Sequence, residues 1–177
     1  CALPIYVISC SLSLLKNIPL AHQGTVSGKW PRTSIKSREL QGKTIGLLGF
    51  GVIGKKVSML AQAFGSKIVA YDPYIPQSDA EKYNISLVKR HDLFECSDII
   101  SIHLPLTNET KNLLNYSSFS EMKNKPIIIN SSRGSIVNQR DLIKAYNDGV
   151  INGFALDVYE SEPVKEDFYL NISSTMN

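Results

Sequence analysis

Residues 43–72 spell a strand, a glycine-rich turn, a helix and a second strand that ends in an acid. Lys43-Thr44-Ile45-Gly46-Leu47-Leu48 is a short β-rich run that stops where Gly49-Phe50-Gly51-Val52-Ile53-Gly54 begins. Residues 55–64 follow, with Val57, Leu60, Ala61 and Phe64 at helical spacing. Lys67-Ile68-Val69-Ala70-Tyr71-Asp72 then reads as a second buried strand with a carboxylate at its tip. Strand, G-x-G-x-x-G, helix, strand and acid, in that order, make a βαβ unit suited to a dinucleotide.

Each part has a physical role. Gly49 permits the tight turn, Gly51 leaves room for a pyrophosphate against the backbone, and Gly54 lets helix and strand approach closely. The helix starting near Val52, with Ile53 in its first turn, directs free N–H groups and the positive end of its dipole at the phosphates. Asp72 stands 18 residues past Gly54. Its carboxylate can accept hydrogen bonds from the adenosine ribose and would repel a 2′-phosphate, so NAD is expected over NADP. A glycine pattern alone can also be an ordinary strand-to-helix turn. The flanking strands and the acid in register favour the cofactor site.

The 177 residues are 43% hydrophobic and 20% charged, enough for one globular domain with a full core. A net charge of +3, with no basic cluster interleaved with aromatics, gives no support to nucleic-acid binding. Cys1, Cys10 and Cys96 share no metal-ligand spacing, so no metal is expected and a reduced, cytoplasmic setting is the default. Residues 1–20 are apolar but contain Pro4, Lys16 and Asn17, which argues against a membrane span or signal peptide. They read as a helix buried against a sheet or a partner subunit. Residues 28–38 read as a basic connecting loop, with Trp30 as a packing anchor. The chain thus divides into an apolar helix and loop over 1–38, a nucleotide-binding unit over 39–163, and a tail over 164–177 without periodicity that is expected to be disordered. Its first residue is Cys1, not Met, so the given start is not expected to be the natural one.

Beyond Asp72 the alternation continues. Short elements are expected at 85–88 (strand), 90–96 (helix), 98–103 (strand), 117–122 (helical turns) and 126–130 (strand). Asn138 caps a helix running to about Asn147, Gly149 ends it, and a last strand runs from Val150 to Leu156. Near-continuous apolar strands between helices imply an α/β fold with a doubly wound parallel sheet. Ligands of such sheets bind outside the carboxyl ends of the strands. That rule gathers Gly49–Gly54, Asp72, His103–Pro105, Ser131–Arg133 and Asp157 around one crevice.

Five stretches carry a family resemblance. They are Glu39-Leu40-Gln41-Gly42-Lys43-Thr44-Ile45-Gly46, the glycine motif, Tyr71-Asp72-Pro73-Tyr74, the run from Ser97 to Thr107, and the run from Ile129-Asn130-Ser131-Ser132-Arg133-Gly134 through Gly153 to Pro163. In this order they resemble the Rossmann-type NAD-binding domain of the D-isomer-specific 2-hydroxyacid dehydrogenases. The resemblance implies that Val52 and Ile53 meet the pyrophosphate and Asp72 the ribose. Leu104 and Pro105 would wall the adenine side, Ser131 and Ser132 would lie beside the nicotinamide half, and Asp157 near its amide. Arg133 is similar to the family's substrate arginine, and Glu162 to the carboxylate that pairs with a catalytic histidine. A guanidinium can hold the carboxylate of a 2-oxo acid in fork geometry, and a His–Glu pair can protonate the developing alkoxide.

The departures matter as much. The family's histidine should follow Glu162 by a couple of dozen residues, yet only 15 remain and none is a histidine. His22 and His91 match no catalytic position, and His103 fits a structural or cofactor-adjacent place. The substrate domain is also absent, so the chain resembles a cofactor domain cut from a larger enzyme and inactive alone. A small 2-oxo or 2-hydroxy acid substrate of the phosphoglycerate dehydrogenase type is the first expectation, with D-lactate and glyoxylate/hydroxypyruvate reductases next. Glu162 speaks against formate dehydrogenase, where glutamine would stand. A homodimer through the apolar first segment is expected. The alternative is a non-catalytic NAD-binding or sensing module or a degenerate gene product.

Overall fold

The computed structural model describes residues 3–30 and 35–164. The chain opens with α1 (Leu3–Lys16) and α2 (Ile18–Val26). The glycine-motif unit follows as β1 (Thr44–Leu48), α3 (Val52–Ala63) and β2 (Lys67–Tyr71). Next come α4 (Gln77–Glu81), β3 (Ser86–Leu87), α5 (Arg90–Cys96) and β4 (Ile99–Ile102). Last are α6 (Tyr116–Ser120), β5 (Ile127–Asn130), a 3₁₀ turn (Gly134–Ile136), α7 (Gln139–Asn147) and β6 (Gly153–Leu156).

All pairings are parallel, in the order β3-β2-β1-β4-β5-β6. The order reverses between β1 and β4, where connections leave to opposite sides and a crevice opens at the carboxyl ends. β4 and β5 are buried along their whole length, which is why they read as unbroken isoleucine-rich runs. Their side chains alternate between two cores. Ile99, Ile127 and Ile129 join Val7, Ile8 and Leu15 of α1 and Val57 and Ala61 of α3. Ile100, Ile102 and Ile128 join Leu93 and Phe94 of α5, Phe119 of α6 and Leu142 of α7. The sheet is therefore wound on both faces, as expected.

Register sets the site. Leu48 pairs with Tyr71 and with Ile102, Ile102 with Asn130, and Asn130 with Leu156. Gly49, Asp72, His103, Ser131 and Asp157 are thus the first residues past five neighbouring strand ends.

Several local expectations change. The apolar start is two helices, because Asn17 turns left-handed (φ 52) and Pro19 follows, bending the pair by 56°. Among the described residues no single helix is long and apolar enough to cross a membrane. α1 lies on the sheet as expected, but α2 buries no residue. Trp30 is no packing anchor within this chain: it is 80% exposed, just past a helix that itself leaves the core. β6 starts at Gly153, not Val150, because the Val150 and Ile151 N–H groups bond back to the Ala145 carbonyl. α5 and the α7 cap follow the sequence: the Asn138 side chain accepts the Asp141 N–H at 3.0 Å. The expectation for the tail lies outside the described residues beyond Val164.

His103 follows β4, its Nε2 3.0 Å from Ser101 Oγ. Burial pushes its imidazole down from 6.5 to about 4, so it is neutral in the fold at pH 7. The unfolded chain takes up a proton below pH 6.5 and the folded chain does not. The contribution is complete above that pH and is lost progressively as pH falls toward 4. At pH 5 the loss is about 2 kcal/mol. Urea denaturation of wild type and His103→Gln at pH 7 and pH 5 checks this. The drop between the two pH values should shrink by about that amount in the variant. An equal drop in both proteins would contradict it.

Candidate dinucleotide and substrate site

The glycine turn is shaped by backbone contact. Gly49 has φ 95, and a Cβ there would come within 2.7 Å of the His103 carbonyl oxygen. A Cβ on Gly54 would come within 2.5 Å of the Gly49 carbonyl oxygen, so α3 could not sit this close to β1 with any other residue. At Gly51 a Cβ would meet nothing within 4 Å. That open space lies at the N-cap of α3, which has no side-chain cap and no acid in its first turn. The first N–H groups of α3, at Val52 and Ile53, have no intrahelical acceptor, and Val52 is exposed. An uncapped helix start beside open space fits a pyrophosphate.

Asp72 stands beside this turn. Its Oδ2 accepts the Phe50 N–H at 2.9 Å and its Oδ1 the Tyr74 N–H at 3.0 Å. Each oxygen keeps a further lone pair for a hydroxyl. Across the crevice Leu104 is buried and Pro105 exposed. Ser132 Oγ donates to the Leu104 carbonyl, joining this wall to the loop after β5. Ser131 Oγ is buried without a hydrogen-bond partner, an orphaned polar atom at the strand ends that a bound polar group would satisfy. Asp157 is exposed at the tip of β6, and its N–H donates to the Asn130 carbonyl at 2.9 Å. Tyr6 and Cys10 of α1 lie near it. Burial, chiefly, raises both of their pKa values, and the Asp157 charge adds to the rise.

Asn130 holds the loop that carries Arg133. Fully buried, it accepts the Ser132 N–H at 3.1 Å and donates to the Arg133 carbonyl at 3.0 Å. Arg133 is exposed, with Nη1 donating to the Ser132 carbonyl at 2.7 Å. Two loops meet here backbone to backbone: a Cβ on Gly134 would lie 2.0 Å from the Tyr159 carbonyl. Glu160 Oε1 accepts the Gln139 N–H at the start of α7 (2.8 Å), and Glu162 Oε1 accepts the Tyr159 N–H (3.1 Å). Arg133, Glu160 and Glu162 thus share a cavity of about 460 Å³ with Leu106, Ser132, Ser135 and Tyr159.

The structure therefore brings Gly49, Gly51, Val52, Ile53, Gly54 and Asp72 to one part of the crevice. Leu104, Pro105, Ser131 and Ser132 lie along it, and Arg133 and Glu162 stand in one cavity beyond. The sequence reading passed over Asn130 and Glu160 as functional residues. A polar residue ending an otherwise isoleucine-only strand was the available signal for Asn130. Nothing local pointed to Glu160, whose partner is 21 residues away. No cluster of three His, Cys, Asp or Glu side chains placed to hold a metal occurs among the described residues.

The sequence profile for the D-isomer specific 2-hydroxyacid dehydrogenase NAD binding domain matches residues 8–175. A D-3-phosphoglycerate dehydrogenase of Methanocaldococcus jannaschii is 38% identical over 166 residues, covering 93% of this chain and 32% of that protein. A hydroxypyruvate reductase of Thermotoga maritima is also 38% identical, covering 94% of this chain and 53% of that protein. Among solved structures, D-lactate dehydrogenase from Escherichia coli superposes with TM-score 0.88 at 33% identity, covering 98% of this chain and 54% of that one. The NAD-dependent formate dehydrogenase from Staphylococcus aureus, solved with NAD, gives 0.88 at 34% identity, covering 97% and 52%. The chain thus spans about a third to a half of the length of these relatives. With the fold, the cradle and the profile in agreement, the chain belongs to the D-isomer-specific 2-hydroxyacid dehydrogenases, NAD-dependent oxidoreductases, and forms their NAD-binding domain.

Proposed function

We propose that this domain serves an enzyme that interconverts a small 2-hydroxy acid and its 2-oxo acid, of the phosphoglycerate dehydrogenase type first. D-lactate and glyoxylate/hydroxypyruvate reduction come next. The observation that carries this reading is Arg133 and Glu162 lining one cavity beside the cofactor crevice. Bound at the strand ends, NAD(H) supplies or accepts the hydride.

The chain's own residues do the rest. Val52 and Ile53 N–H groups hold the pyrophosphate, and Asp72 accepts from the ribose hydroxyls. Arg133, with one nitrogen committed to the Ser132 carbonyl, presents its remaining N–H groups to a substrate carboxylate and polarises the adjacent carbonyl. Glu162 orients an imidazole and favours its protonated form. None of the chain's three histidines lines that cavity. His91 lies between Glu95 and Glu121, His103 faces Ser101, and His22 is on α2. The 177 residues alone therefore bind but do not turn over.

An NADH-oxidation assay with glyoxylate, hydroxypyruvate, pyruvate and phosphohydroxypyruvate should show a rate lower than a complete dehydrogenase by at least about 10²–10⁴. Any binding of these acids to the NADH-loaded chain should be lost in Arg133→Ala. Full turnover would show that another group donates the proton. Acid binding indifferent to Arg133→Ala would contradict the substrate assignment and favour a non-catalytic NAD-binding module.

The second part of the proposal is a homodimer through the first two helices. α2 buries none of its residues, and Ile18, Leu20 and Val26 stand exposed with Ile5 of α1 and Trp30. So many exposed apolar side chains along one short segment favour burial in a self-complementary contact. Sedimentation velocity at micromolar concentration should report a dimer that Val26→Glu with Leu20→Glu dissociates without unfolding. A stable wild-type monomer would contradict it.

A further inference from the structure

Asp72 has two backbone partners whose consequence goes beyond a ribose contact. Gly49 donates its N–H to the Tyr71 carbonyl at 2.9 Å, and the next amide, Phe50, donates to Asp72 Oδ2 at 2.9 Å. Two successive amides of the glycine turn are thus fastened to the end of β2. The second Asp72 oxygen takes the Tyr74 N–H at 3.0 Å, which fixes the carboxylate's orientation. The Phe50 side chain is fully buried and meets Tyr83 edge-on, with ring centroids 5.7 Å apart. The turn is therefore pinned on both sides of the Phe50 backbone. Removing the carboxylate would leave the Phe50 N–H without its acceptor beside a ring that cannot move away. The residue after Phe50 is Gly51, where the space for the pyrophosphate opens.

We propose that Asp72 is a positioning residue for the phosphate cradle as well as an acceptor for the ribose. Specificity and phosphate binding are then coupled through one side chain. Exchanging Asp72 to admit a 2′-phosphate would loosen the turn that holds the pyrophosphate of either cofactor. This rests on the NAD site described above.

The discriminating ligand is NADH whose adenosine carries 2′,3′-dideoxyribose, which offers Asp72 no hydroxyl. Calorimetric titration of NADH and this analogue into wild type, Asp72→Ala and Asp72→Asn separates the two roles. Asp72→Ala should weaken the dideoxy analogue about tenfold or more, the effect of losing a charge-assisted hydrogen bond. Asp72→Asn should recover part of that loss, since its amide oxygen can still accept the Phe50 N–H while its NH₂ opposes Tyr74. In the ligand-free proteins, hydrogen exchange at the Phe50 amide should quicken in Asp72→Ala. An analogue affinity unchanged by Asp72→Ala would overturn the proposal, whatever happens to NADH. Wild type binding neither ligand would instead remove the cofactor reading. Exchange at Phe50 would then decide alone, with an unchanged rate in Asp72→Ala overturning the proposal.

Discussion

The parallel register across β2, β1, β4, β5 and β6 is the constraint on which the rest depends. It places Gly49, Asp72, His103, Ser131 and Asp157 just past adjacent strand ends, although 108 positions separate the first from the last. A shift of one residue in any strand would turn its side chains to the other face and exchange the two cores. Isoleucines on both faces of β4 and β5 fill both cores, so each strand is buried between helices on either side. The chemistry is thus held by burial beneath it, and the crevice follows from strand order.

Above the sheet, the site is assembled largely from backbone. Gly49 and Gly54 bring the turn, β4 and α3 into contact, and Gly134 does the same for the loops carrying Arg133 and Glu162. Side chains that act on this framework mostly bond to main chain: Asp72 to Phe50, Asn130 to Ser132 and Arg133, Glu160 to Gln139. Such contacts fix loops that could otherwise move, and they leave N–H groups of α3 and the guanidinium of Arg133 facing the crevice. Loops of this kind, on a rigid sheet, are where binding residues concentrate.

Much of this was legible in the residues. Glycine spacing and apolar runs located the first βαβ unit. Asn138 announced its helix with a side-chain acceptor at the cap, and α5 matched its expected span. What stayed hidden had local causes as well as distant ones. The break at Asn17 rests on an asparagine that tolerates the left-handed conformation, with Pro19 two places on, and the late start of β6 follows from N–H groups turning back to Ala145. Trp30 reads by residue type as a packing anchor, but it follows α2, which buries none of its residues, and stands exposed. Glu160 shows its positioning only when loops far apart in sequence meet, whereas Asn130 bonds within its own loop, to Ser132 and Arg133.

We propose that the β1–α3 turn and Asp72 make the NAD site at the switch point. Calorimetric titration of the 177-residue chain with NADH and with NADPH tests it most directly. The carboxylate of Asp72, in the place a 2′-phosphate would need, should make NADPH weaker by at least about tenfold. Amide signals of Val52 and Ile53 should move on NADH addition while those of α7 stay. Equal affinity for the two cofactors, or no perturbation at the start of α3, would rule out this site.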